Sequence, residues 1–159
     1  MSFSDDQIDR FSRQLLLDPI GGEGQRALFD ARVLVVGAGG LGSPAALYLA
    51  AAGVGHLTLI DPDSVELSNL HRQILHRTDD LGRPKVARAA EALVQLDPEL
   101  EVAAIEGALG PDNAEALFRS HDLVLDGSDD FAVRFLCNDA IDRARAEGRK
   151  TVKGRDFKP

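Results

Sequence analysis

The most regular apolar stretch of the chain is Val33-Leu34-Val35-Val36, which follows Arg32 and ends abruptly at Gly37. A β-branched run without polar alternation is the pattern of a strand covered on both faces, and it predicts the central strand of a sheet. An Ala- and Leu-rich run from Gly42 to Ala52 predicts a helix closed by Gly53 and Gly55, and Leu57-Thr58-Leu59-Ile60-Asp61 predicts a second strand. Further on, Val86, Ala89, Ala90 and Leu93 mark the apolar face of a helix that starts near Pro84 and ends near Asp97-Pro98. Residues 101–105 predict a weak strand, 111–119 a short helix, 123–126 another buried strand, and 131–147 a helix stopped by Gly148.

Ahead of this alternation, Ile8, Phe11 and Leu15 recur at helical spacing over residues 5–17, with Ser4 or Asp5 as cap. Pro19, Gly21, Gly22 and Gly24 then break the pattern before a second short helix over residues 25–30. Residues 63–81 are polar and irregular, too long for an ordinary connection, and such loops usually carry function. Strands alternating with helices imply an α/β fold, a Rossmann-like doubly wound and mainly parallel sheet. The expected organisation is an amino-terminal helical segment at 1–30, a nucleotide-binding domain at 31–148 and a basic tail at 149–159.

Composition narrows the function. With 44% hydrophobic and 28% charged residues among 159, one globular core is expected, and without Trp it must be built from Ala, Val, Leu and Ile. A formal charge of −8 argues against a general nucleic-acid binder, which needs a broad basic surface. Apolar runs are too short for a membrane span, and residues 1–6 lack the pattern of a signal peptide, so a cytoplasmic location is the default expectation. Cys137 is the only cysteine, which leaves no internal disulfide and no four-cysteine zinc site; it reads as a small buried residue of the last helix. His56, His71, His76 and His121 show no ligand spacing and read as surface or loop residues.

Gly37-Ala38-Gly39-Gly40-Leu41-Gly42 fits G-x-G-x-x-G between a predicted strand and a predicted helix, the context this motif requires. Glycines there let the backbone approach a phosphate, and the helix amino terminus presents N–H donors to it. Asp61 ends the second strand nineteen residues after Gly42, where an acid accepts hydrogen bonds from ribose hydroxyls. Between His71 and Arg88 stand five Arg or Lys and two Asp, a local excess of +3 in an acidic chain, which points to a polyanion site. By themselves these features fit ATP and a dinucleotide such as NAD or FAD equally.

The segment Asp61-Pro62-Asp63-Ser64-Val65-Glu66-Leu67-Ser68-Asn69-Leu70-His71-Arg72-Gln73, followed by Gly82-Arg83-Pro84-Lys85, is more specific. Together with Arg10-Phe11-Ser12-Arg13-Gln14 and Leu125-Asp126-Gly127-Ser128-Asp129-Asp130, it resembles the adenylation domain of the ThiF/MoeB/HesA family, relatives of ubiquitin-activating enzymes, over residues 8–147. The resemblance implies an adenylyltransferase using ATP and Mg²⁺. Its partner would be a ubiquitin-like sulfur-carrier protein of the ThiS/MoaD type, whose Gly-Gly carboxylate attacks the α-phosphate to give an acyl-adenylate and pyrophosphate. It implies that Gly37, Gly39, Gly40 and Gly42 lie against the nucleotide and that Asp61 holds the ribose. Asn69, Arg72 and Gln73 would contact nucleotide and phosphates, Lys85 the phosphates, and Asp129 the Mg²⁺. Asp126 reads as a strand-end cap, although by position the two aspartates could exchange these roles. Arg13 would reach the ATP site of a neighbouring subunit, which implies a homodimer.

Departures from the family pattern carry expectations of their own. Asp130 stands where many relatives have Asn, which adds charge near the expected metal. The family pattern continues with an apolar strand, a crossover loop that often bears a cysteine, and Cys-x-x-Cys pairs that hold zinc. The loss of β pattern at Arg149 predicts a truncated or frame-shifted end. Three other readings stay open: a nucleotide-binding or dimerisation module without catalysis, an NAD- or FAD-dependent oxidoreductase, and a tRNA-modifying dehydratase.

Overall fold

Four parallel strands lie in the order β3-β2-β1-β4: β1 (Arg32–Val36), β2 (His56–Asp61), β3 (Glu101–Glu106) and β4 (Leu123–Asp126). The structure is a computed structural model that describes residues 3–146, so the expected basic tail at 149–159 lies outside the described residues. Helices α3 (Gly42–Ala51), α4 (Lys85–Leu96), α5 (Pro111–Arg119) and α6 (Phe131–Ala146) alternate with the strands, and α1 (Asp5–Leu15) and α2 (Gly21–Asp30) precede them. The fold is the expected α/β Rossmann-like one. No helix among the described residues is long and apolar enough to cross a membrane.

The apolar run of β1 explains the layering. Side chains alternate across a strand, so Val33 and Val35 join the core under α3 and α4 with Leu57, Leu59, Ala46 and Leu93. Leu34 and Val36 join the opposite core with Ile60, Ala114 and Cys137. All four side chains of the run are at most 3% exposed. Because β2 and β4 flank β1, the chain leaves it toward one face and reaches β4 from the other. The carboxyl end of β1 is therefore a topological switch point, where open α/β sheets bind ligands.

The long connection after β2 folds back on itself. Val65 N–H donates to Arg83 O at 2.9 Å and Gly82 N–H to Val65 O at 2.9 Å, so the two arms are zipped around a Ser64–Pro84 bridge. Val65 and Leu75 peg the loop into the protein, at 2% and 6% exposure.

The amino-terminal helices dock at the other end of the sheet. Ser4 caps α1 in a box with Gln7, Ser4 Oγ accepting from Gln7 N–H at 3.1 Å and Gln7 Oε1 from Ser4 N–H at 3.0 Å. Arg10 donates to Leu96 O at 3.0 Å and Gln14 to Ala52 O at 3.2 Å, which ties α1 to the carboxyl ends of α4 and α3. Of the expected apolar stripe, Phe11 is buried against Phe29, ring centroids 5.2 Å apart, but Ile8 is 45% exposed. Helix α2 begins at Gly21 and not at Gln25, because burial of Gln25 and the Phe29 cluster outweigh the weak helix preference of its glycines.

Gly53 makes this docking possible. It closes α3 with φ +86°, and a Cβ there would lie 2.8 Å from the Phe11 ring and 2.5 Å from Gln25 Nε2. The left-handed backbone and the overlap add, so Gly53→Ala is expected to lower unfolding stability by about 2–4 kcal/mol. Urea denaturation measures this, and an unchanged midpoint would contradict the docking geometry.

Candidate functional site

Backbone contact fixes the turn after β1. Gly37 has φ +85°, its N–H donates to Ile60 O at 2.8 Å, and a Cβ on it would lie 3.2 Å from the Gly127 and Ser128 backbone at the end of β4. A Cβ on Gly42 would fall 1.7 Å from Gly37 O, so strand end and helix start touch main chain to main chain. Carbonyls of the turn point inward: Gly39 O accepts from Ser43 Oγ at 2.6 Å and Ser43 N–H at 3.0 Å, and Ala38 O faces His76 Nε2 at 3.1 Å. The N–H groups of Gly39, Gly40 and Leu41 have no acceptor among the described residues. At the amino terminus of α3 they form a ready anion cradle.

Asp61 is 5% exposed and works on the backbone. Its Oδ2 accepts from Ala38 N–H at 2.6 Å and its Oδ1 from Asp63 N–H at 2.8 Å. Each oxygen retains a lone pair for a further donor. Lys85, the first residue of α4, is 4% exposed and its Nζ lies 2.7 Å from Asp63 Oδ2.

Arg72 and Gln73 lie against the glycines. From the position of a Cβ on Gly40, Arg72 Cγ and Cδ are 3.6 Å away, and from one on Gly39, Gln73 Nε2 is 3.6 Å away. Arg72 also donates to Ser68 O at 3.2 Å. Gln73 Nε2 donates to Asn69 Oδ1 at 3.1 Å, while Gln73 Oε1 is buried without a hydrogen-bond partner. Asn69, 9% exposed, ends a short 3-10 turn at Leu67–Asn69.

The loop after β4 closes the other side. Gly127 N–H donates to Val36 O at 2.8 Å, and the exposed Asp129 follows two residues later. Asp126 Oδ1 accepts from Ser128 N–H at 3.0 Å and Ser128 Oγ at 2.7 Å, the expected strand-end cap. Asp130 accepts from Ala132 N–H at 2.7 Å, which engages it at the start of α6.

Arg13 is not part of this cluster. It is exposed on α1, whose Gln14 touches the carboxyl end of α3, and the Gly turn sits at the amino end of that ten-residue helix, roughly 15 Å away.

His76 and His121 are loop residues, as expected, but neither is exposed. His76 is buried, 5% exposed, with Nε2 on Ala38 O and Nδ1 without a partner. Burial pushes its pKa below the usual histidine value, against the opposing pull of the Ala38 carbonyl and Asp80. Because a carbonyl only accepts, Nε2 carries the proton and the ring is neutral near pH 7. His121 is half-buried and bridges Leu117 O at 2.6 Å and Thr58 Oγ1 at 2.7 Å. Beyond the apolar Leu75 beside it in an otherwise polar loop, nothing in the sequence singles out His76.

The ThiF family pattern matches residues 11–152. A probable adenylyltransferase/sulfurtransferase MoeZ of Mycobacterium tuberculosis is 48% identical over 139 residues, 87% of this chain and 36% of that protein. A sulfur carrier protein adenylyltransferase of Thermus thermophilus is 47% identical over 140 residues, 88% of this chain and 52% of that protein. Among solved structures, the tRNA N6-threonylcarbamoyladenosine dehydratase TcdA of E. coli in complex with ATP superposes with a TM-score of 0.81 at 33% identity, covering 94% of this chain and 60% of that one. The chain thus spans about a third to about half the length of the two curated relatives.

A charge network holds the loop that carries Arg72 and His76. Asp80, 3% exposed, pairs with Arg88, which also pairs with Glu91, and Glu91 Oε1 meets Arg83 Nη2 at 2.8 Å. Burial alone would raise the Asp80 pKa, but the Arg77 N–H at 2.8 Å and the Arg88 guanidinium outweigh it and hold the carboxyl below its ordinary value. Stability from this carboxylate is then full above about pH 4 and lost as pH falls through its folded pKa. Asp80→Asn is expected to cost about 2 kcal/mol at neutral pH, less than for an isolated buried pair because Arg88 keeps Glu91. Denaturant titrations should show the gap between the two proteins closing below about pH 4; a gap independent of pH would refute the network's role.

Proposed function

This chain belongs to the ThiF family, and we propose that it forms the nucleotide site of an adenylyltransferase acting on the terminal carboxylate of a ubiquitin-like sulfur-carrier protein. One observation carries the proposal: backbone N–H groups at residues 39–41 that have no acceptor among the described residues, with the Arg72 side chain beside Gly40, at the sheet's switch point. Such a surface suits a polyphosphate. The Mycobacterium and Thermus relatives, named as adenylyltransferases, support the activity, and the Thermus name supports the carrier.

In this reading the carrier's glycine carboxylate, ionised at neutral pH, attacks the α-phosphorus of ATP. A carboxylate–phosphorus bond forms, the bond to the bridging oxygen breaks, and the electron pair leaves with pyrophosphate. No side-chain base is needed, so catalysis reduces to positioning and charge neutralisation. The cradle at Gly39 and Gly40, together with Arg72 and Lys85, would hold the phosphates. Lys85 would exchange the Asp63 carboxylate for a phosphate oxygen. Asp61, with one lone pair left on each oxygen, would take the ribose hydroxyls, and Asn69 and Gln73 would line the nucleotide, the orphaned Gln73 Oε1 meeting a donor there.

Among the described residues no group of three or more His, Cys, Asp or Glu is arranged to hold a metal. Mg²⁺ commonly binds one or two protein carboxylates plus phosphate oxygens and water, and the exposed Asp129 is the carboxylate proposed to hold it. When bound, Mg²⁺ would screen phosphate charge. Arg13, too far from its own turn, would serve the site of a second copy, and the proposed assembly is a homodimer.

ATP–pyrophosphate exchange with purified carriers ending in Gly-Gly tests the proposal. Exchange should depend on the carrier, and Lys85→Ala or Arg72→Ala should lower it at least about 100-fold with little change in Tm, the scale seen when a transition-state charge partner is removed. ATP binding without exchange would favour a nucleotide-binding module, and tight NADH binding without ATP binding an oxidoreductase.

A further inference from the structure

We propose that His76 is a positioning residue of the nucleotide site: its neutral imidazole holds the Ala38 carbonyl inward and so keeps the following N–H groups aimed at the phosphates. The proposal rests on the reading that the turn at residues 37–42 receives ATP.

The Ala38 peptide groups are gripped from two elements. Asp61 on β2 takes the N–H at 2.6 Å, and His76 on the long loop gives its Nε2–H to the carbonyl at 3.1 Å. Ala38 itself is 2% exposed, so water does not reach that carbonyl as a substitute. The amide that follows Ala38 O belongs to Gly39, and the two groups share one rigid peptide plane. Fixing the oxygen inward fixes the Gly39 N–H outward. Ser43 does the same for the next plane, by holding Gly39 O and orienting the Gly40 N–H. Both glycines leave the backbone free to rotate, so without these anchors the donors would scatter among conformers.

Charge state matters as well as geometry. His76 faces Asp80 of the loop, Lys85 of α4 and Asp61 of β2. Its buried Nδ1 has no hydrogen-bond partner among the described residues, so a proton there would be an unpaired donor on a cation. The ring therefore rests neutral, with its one proton on Nε2 facing the carbonyl. Glutamine can present an amide N–H where Nε2 stands, whereas leucine fills similar space and donates nothing.

ATP affinity of the full chain, measured with Mg²⁺ by calorimetry alongside Tm, tests this. His76→Leu should weaken ATP binding at least about tenfold, about the effect of losing one hydrogen bond to a site that orders the ligand, and His76→Gln should stay within about threefold of the parent. If His76→Leu binds ATP as tightly as the parent, or only Tm changes, His76 is structural and the proposal fails. Should His76→Leu not fold, the comparison moves to His76→Phe, which likewise fills the space and donates nothing. It should also weaken ATP binding about tenfold relative to His76→Gln. Equal affinities of the two variants would overturn the proposal. A parent that binds no ATP at all overturns the functional reading, and the proposal with it, and is told apart because every variant is then silent.

Discussion

The contact on which the site depends is between two backbones. With 1.7 Å between Gly37 O and the place of a Cβ on Gly42, any side chain at residue 42 would push α3 off the end of β1. That closeness forces the turn to be tight, and a tight turn must dispose of its carbonyls. They go inward, to His76 and Ser43, and the N–H groups go outward. The peptide dipoles of the turn are thus fixed by packing, before any charged side chain is added. The same packing draws the end of β4, at Gly127 and Ser128, against Gly37.

Around this contact the chain separates rigid and adjustable parts. The sheet and α3 supply the turn from elements buried on both faces. The long loop from residue 63 supplies Asn69, Arg72, Gln73 and His76, and it would be a poor platform if left to its polar sequence. Two apolar pegs, Val65 and Leu75, and the Asp80–Arg88–Glu91–Arg83 network hold it to α4. An ion-pair network is an apt tether here, since in the proposed reading the loop would have to remain polar enough to face a nucleotide. Only one member, Asp80, is deeply buried, and it is the one that also takes a backbone N–H.

Most of the fold was legible because its strands are short, apolar and punctuated by glycine. Residues 111–119 and 123–126 fall where the pattern predicts, and β3 is weak for a visible reason: on a sheet edge it needs only Val102 and Ile105 half-covered. Helix α2 was misread at its start because glycine content speaks only of local preference, while Gln25 and Phe29 are held by tertiary contacts. Of the site, the glycine motif, Asp61, Arg72 and Gln73 were legible as a cluster, since motif context encodes proximity. His76 was not. A histidine's role is decided by which carbonyl it meets, and a contact 38 residues apart leaves no trace in periodicity or composition. Arg13 shows the converse: it matches a motif, yet its helix lies at the far end of the chain's own sheet.

The pairing of Lys85 with Asp63 is the last piece of this logic. A lysine 4% exposed cannot stay charged cheaply without a partner, and Asp63 is that partner at 2.7 Å. Yet the Asp63 side chain is 65% exposed, so solvent screens its half of the pair and little is lost when it lets go. In the proposed site a polyphosphate would bring several negative charges where Asp63 brings one, to an ammonium that is costly to leave alone. The exchange of carboxylate for phosphate would then run downhill for a highly charged ligand and gain little for a singly charged one. Discrimination by charge number would follow from burial of the cation and exposure of its resting partner.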